Sequence, residues 1–167
     1  MVRFNAVIMR GDWEALDLEL LLEKIANSPA AMAWRASYAW MLAATGQTEA
    51  AREQYGIVAA GDFATLPFDT NWPSAMGELA SACIELGDPE LARPLYDRLL
   101  PYAGRALTAG RAITSFGSTE RLLGGLAAML GRTGEAIARL EKAVRDNEAA
   151  GFTVWADHAR KALERIR

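Results

Sequence analysis

The sequence predicts an all-α fold, a right-handed solenoid of stacked helix–turn–helix units. Two observations carry this. First, one phrase recurs around Gly46, Gly87 and Gly131, at spacings of 41 and 44 residues. A small residue stands five positions after each glycine (Ala51, Ala92, Ala136) and a large one nine after (Tyr55, Tyr96, Leu140). Another small residue stands seven before (Ala39, Ala80, Gly124) and a bulky one eight before (Tyr38, Leu79, Leu123). Such a period marks repeated supersecondary units that stack because no single pair can bury its own apolar face. Second, the stretches between turn signals carry apolar residues at helical spacing. Strand-like alternation never extends beyond a few residues.

Each element follows from local chemistry. Residues 12–27 read as a helix capped by Asp12, with Leu16, Leu20 and Ile25 on one face and Pro29 beyond its end. Residues 30–44 are alanine-rich, with Trp34, Tyr38 and Met41 on one side. Thr45-Gly46 stops them, and a partner helix runs from about 48 to 60. A loop at 61–71, broken by Pro67, precedes a helix at 73–86 whose first-turn proline needs no amide donor. Gly87-Asp88-Pro89 is a stop and restart, with Asp88 as cap. Pro94 lies within the next helix, where a local bend is expected. The stretch 102–117 contains Gly104, Gly110 and Gly117 and is the longest predicted loop. A third pair spans 118–130 and 133–150, and a last amphipathic helix spans 153–167. The expected units are therefore 2–28, 30–60, 72–101 and 118–150, plus the terminal helix, in one domain.

Bulk properties exclude several functions. The chain of 167 residues is long enough for one sizeable core. A net charge of −3 and a pI near 5.3 leave no electrostatic footprint for direct nucleic-acid binding. The 15 arginines are scattered among carboxylates. No apolar run reaches the roughly 18–20 residues of a membrane span. The apolar N-terminus has no signal-peptide cleavage context, and Cys83 is the only cysteine, so a cytoplasmic location is expected.

The pattern of small and large positions around the turn glycines resembles the tetratricopeptide repeat. That family has small residues at its eighth and twentieth positions and an aromatic near the twenty-fourth. Ala39, Ala51 and Tyr55, then Ala80, Ala92 and Tyr96, then Gly124 and Ala136 match, with Leu140 replacing the third aromatic. The phrases at 29–36, 62–67, 71–72, 99–105 and 117–124 together resemble the C-terminal helical region of bacterial signal-transduction ATPases, of the LuxR-type or cyclase-linked regulators. The resemblance covers nearly the whole chain. It implies a regulatory or protein-interaction scaffold. The family's catalysis does not carry over, because there is no phosphate-binding Gly-Lys-Ser/Thr loop.

Candidate chemistry is sparse. His158, the only histidine, stands beside Asp157, but adjacent helical side chains point about 100° apart. A surface or capping role suits it better than base catalysis. Cys83 falls where the repeat expects a core residue, so an inert buried thiol is expected. One cysteine and one histidine cannot close a zinc site, and no cofactor is expected. The resemblance places the first helix of each pair on a concave groove. That projection puts Trp40, Ser74, Ser81, Ile84, Glu85, Arg121 and Met129 toward it. Trp40 is a candidate apolar anchor, weighed against packing on a neighbouring helix, and Arg121 is a candidate carboxylate partner. The alternative is a small-molecule sensor, with an inducer in the groove under the loop and contacts from Arg105 and Arg111. Expected partners are a protein or peptide, other domains of a parent regulator, or a second copy of the chain. An enzyme is disfavoured.

Overall fold

The computed structural model describes residues 7, 10–15, 17–109 and 114–167. Among them are eight α-helices, two 3₁₀ turns and one two-stranded sheet. The helices are α1 (Leu18–Asn27), α2 (Ala31–Ala44), α3 (Thr48–Phe63), α4 (Trp72–Leu86), α5 (Pro89–Leu99), α6 (Thr119–Met129), α7 (Thr133–Ala149) and α8 (Thr153–Ile166). The strands are β1 (Ala106–Ala109) and β2 (Thr114–Ser118), paired antiparallel. Of the expected N-terminal unit, residues 2–6, 8, 9 and Leu16 lie outside the described residues, as do Gly110 and Arg111.

The turn glycines behave as their chemistry requires. Gly46, Gly87 and Gly131 adopt φ of 77°, 65° and 72°, the left-handed region that side-chain-bearing residues avoid. Their small partners close the helix pairs: Ala39, Ala51, Ala80, Ala92 and Ala136 have no exposed surface. At Gly124 a Cβ would lie 2.7 Å from Leu140 Cγ and 3.2 Å from the Ala136 carbonyl oxygen, so α6 and α7 approach through that glycine. Helix α2 packs on both α3 and α4, α5 on α6, and α7 on both α6 and α8. Tyr55, Leu79, Tyr96, Leu123 and Leu140 are buried in the spaces between.

Two local expectations are corrected. Asp17, rather than Asp12, caps the first helix: its Oδ1 accepts the Leu20 N–H at 2.9 Å, and a 3₁₀ turn at Trp13–Ala15 precedes it. A cap side chain accepts from an amide two or three residues on, and the helix that buries Leu21 starts after Asp17; Leu20, expected on the apolar face, is exposed. The stretch read as loop 102–117 contains the β1–β2 hairpin. Its signal is short: Leu107 and Ala109 are buried while Ala106 and Thr108 turn outward. Two alternations are too few to outweigh three glycines on the page. The hairpin persists because Leu107 and Phe116 enter the main core and β1 packs on α4. The strictly all-helical reading is thus amended to a mostly helical one. Pro94 lies inside a helix as expected, within α5 from Pro89 to Leu99.

Helix α3 leaves helical geometry at Ala60, close to its expected end, and turns through Gly61, Asp62 and Phe63 with φ near 60°. A phenylalanine in this region is strained. Arg98 holds the corner: it pairs with the Asp62 carboxylate, donates to the Asp62 carbonyl at 2.9 Å and lies 5.1 Å over the Phe63 ring.

Helices α5, α6 and α7 meet at a buried ionic knot. Glu120 is 4 % exposed, and Arg139 Nη1 donates to its Oε2 at 2.8 Å. Arg139 also donates to Glu135 and to the Tyr96 hydroxyl, both at 2.9 Å. Arg139→Met removes the cation and leaves Glu120 with only Lys142 at 4.0 Å. We expect a loss of about 3 kcal/mol in urea unfolding, since breaking a buried pair strands a charge. The double variant Arg139→Met/Glu120→Gln is expected to recover at least half. Equal stabilities for the wild type and Arg139→Met would remove this reading of the knot.

Candidate functional site

Four elements bring their side chains together around Trp155. Helix α8 presents Trp155 and His158, with ring centroids 5.2 Å apart. Strand β2 adds Phe116, 6.1 Å from Trp155, and α2 adds Trp40, 6.4 Å from Phe116. Trp13 closes the far end edge-on to Trp40 at 5.4 Å. Trp155 is fixed from two sides: its indole N–H donates to the Ser115 carbonyl at 2.9 Å, and Gly117 lies against its Cβ. An indole buried with its donor satisfied makes a rigid platform.

Helix α6 lays Arg121 on that platform, with the guanidinium carbon 4.9 Å from the Trp155 ring centre. Residue 121 is half-buried, yet its Nε and Nη2 are cut off from solvent and have no hydrogen-bond partner. Burial pushes the guanidinium down to about 10, while the charge of Glu85 works in the opposite direction. At neutral pH the group therefore stays cationic. Nε–H and Nη2–H form one edge of the guanidinium fork, the edge that matches a carboxylate or phosphate with two parallel bonds. A buried cation with unused donors is costly, and an anion that accepts both bonds relieves it.

The other expected groove residues are dispersed. Glu85 is exposed and reaches Arg121 through its charge alone. Trp40 is 5 % exposed and lies in the main core, the packing role weighed for it. Ser81 is buried and donates to the Gly77 carbonyl at 3.0 Å, and Ser74 donates to the Asn71 carbonyl at 2.8 Å. Met129 packs half-buried on the core, and Ile84 fills the space that Gly125 leaves. Arg105 stands elsewhere, at the base of the hairpin. Arg111 lies outside the described residues.

Two polar groups stand out that the sequence reading passed over. Glu78 is buried and accepts the Ser37 hydroxyl at 2.8 Å, between α4 and α2. The repeat spacing contains this contact: both residues stand nine positions before a turn glycine. Asn147 is fully buried and accepts the Ser118 N–H at 2.7 Å through Oδ1. Cys83 is buried, its thiol pushed up to about 12 by burial, so thiolate chemistry at neutral pH is suppressed. Among the described residues no grouping of three or more His, Cys, Asp or Glu could hold a metal ion, and no helix is long and apolar enough to cross a membrane.

No protein-family model, no curated protein and no solved structure matches this chain. What the fold and the site define is therefore a class of geometry, a mostly helical domain carrying a buried arginine edge with no hydrogen-bond partner.

Proposed function

We propose that the chain is a binding domain of the tetratricopeptide-repeat type, a regulatory scaffold that holds a protein segment and performs no reaction. The segment belongs to a separate partner or to another domain of a parent bacterial regulator. One observation carries this reading: the unspent Nε and Nη2 donors of Arg121, stacked on Trp155 beside Glu85. The segment it would take offers an acidic side chain to that edge and an apolar side chain to the aromatic row. Glu85 sets the selectivity, since its charge opposes a second carboxylate nearby and favours a segment with a basic residue next to the acidic one.

The test is a peptide array of short acidic–aromatic sequences and their amidated counterparts, followed by calorimetry on the best binder. Wild-type protein is expected to select carboxylate-bearing peptides. Arg121→Lys keeps a charge but loses the fork, and is expected to weaken binding by roughly tenfold or more. Equal binding of acidic and amidated peptides would defeat the proposal.

A further inference from the structure

A cavity of about 390 Å³ opens between the base of the hairpin and the C-terminal end of α7. It shares no residue with the Arg121 face. Its size is at the lower end of small-molecule sites. Arg105, Ser118, Asp146, Asn147 and Phe152 line it, with alanines at 106, 149 and 150 between them.

The polar lining is unbalanced. Asn147 spends Oδ1 on the Ser118 N–H, but its buried Nδ2 has no hydrogen-bond partner. Arg105 is exposed and makes no ion pair with any described residue. Its backbone is nonetheless held: its carbonyl accepts from the Thr119 N–H at 2.9 Å and the Thr119 hydroxyl at 2.8 Å, and its N–H donates to Tyr102 at 3.1 Å. The one carboxylate in the lining is already engaged. Asp146 takes Lys142 Nζ at 2.6 Å and the Ser118 hydroxyl at 3.1 Å. The last carbonyls of α7 are likewise used, by the N–H groups of Ala150, Gly151 and Phe152.

Two donor groups thus have no protein partner, one of them charged, and the lining's one carboxylate is drawn through Oδ2 to Lys142 and Ser118. A ligand that completes this lining brings acceptor oxygens and negative charge. Asp146 and the negative end of the α7 dipole oppose a doubly charged group, so a single charge fits best. The remaining wall is alanine and the Phe152 ring, which suit an apolar body. The geometry points to a binding site for a small organic monocarboxylate, its carboxylate held by Arg105 and Asn147 and its apolar part against Phe152.

Phenylacetate is the probe, with phenylacetamide as its uncharged counterpart and inorganic phosphate as the doubly charged one. The readouts are the Asn147 side-chain amide in a ¹⁵N–¹H spectrum and the affinity by calorimetry. Phenylacetate at millimolar concentration is expected to shift that amide saturably, while phenylacetamide and phosphate leave it in place. Arg105→Gln alters an exposed side chain, keeps the fold and is expected to weaken phenylacetate roughly tenfold. Asn147→Asp keeps the Oδ1 acceptor for Ser118 and removes the donor, and is expected to abolish binding. A stationary Asn147 amide overturns the site, as does affinity unchanged in Arg105→Gln. Phosphate binding as tightly as phenylacetate overturns the choice of a monocarboxylate.

Discussion

Glu78→Gln stabilises the protein near pH 8 and flattens its pH dependence. Glu78 is buried between α2 and α4, and burial pushes its carboxyl from an ordinary 4.5 up to about 8, the Ser37 hydroxyl bond opposing part of that rise. The folded chain therefore holds a proton that the unfolded chain releases anywhere between those two values. Stability from this group is complete below about pH 4.5, falls as pH rises, and is fully lost above about pH 8. The slope is about 1.4 kcal/mol per pH unit within that window, so the whole effect is on the order of several kcal/mol. Glutamine keeps the shape and an oxygen for Ser37 and has nothing to titrate. The variant is expected to match the wild type within about 1 kcal/mol near pH 5 and to exceed it by about 2–3 kcal/mol near pH 8. Urea unfolding at several pH values checks this, with constant m-values as the control. Parallel pH profiles for the two proteins would sink the assignment.

Gly117→Ala unfolds or severely weakens the protein. Gly117 has φ of 74°, where an alanine is strained by itself. The added Cβ would also lie 2.6 Å from Trp155 Cβ, 2.7 Å from Trp155 Cγ and 2.8 Å from Asn147 Oδ1. Trp155 Cβ moves only with the α8 backbone, and Asn147 is tied to the Ser118 N–H, so neither can step aside. A loss of at least about 3 kcal/mol is expected, from backbone strain plus overpacking. Gly131→Ala is the internal control. It has nearly the same φ, 72°, but nothing within 4 Å of its Cβ, so about 1 kcal/mol is expected. Thermal unfolding that ranked the two variants equally would show that the contact with Trp155 is unimportant.

Both effects arise where units touch, and such contacts are unevenly legible. The Ser37–Glu78 bond was available from the repeat, because equivalent positions on successive first helices stack at that spacing. It was missed because a glutamate inside a helix reads as solvent-facing until its neighbours are known. The Arg121 site was half legible. A cation on α6 could be singled out, but its platform is Trp155, thirty-four residues away on a helix outside the three repeated phrases. The hairpin was the least legible element. Its strands are held by Leu107 and Phe116 entering a core built by distant helices, and local alternation over four or five residues carries too little signal.

The sequence alone determined the mostly helical character, most helix ends other than the start of α1, and the turn glycines. These depend on interactions within a few residues: caps, left-handed angles and the 3.6-residue period of apolar side chains. Only the tertiary structure decided which polar groups are buried, which donors stay unspent and where the cavity lies. Desolvation and hydrogen bonding between distant residues depend on how the helices and the hairpin pack, and no local pattern encodes that packing. Arg121 and Asn147 are ordinary helical residues on paper, and they become candidate sites because Trp155, Phe116 and Gly117 close around them.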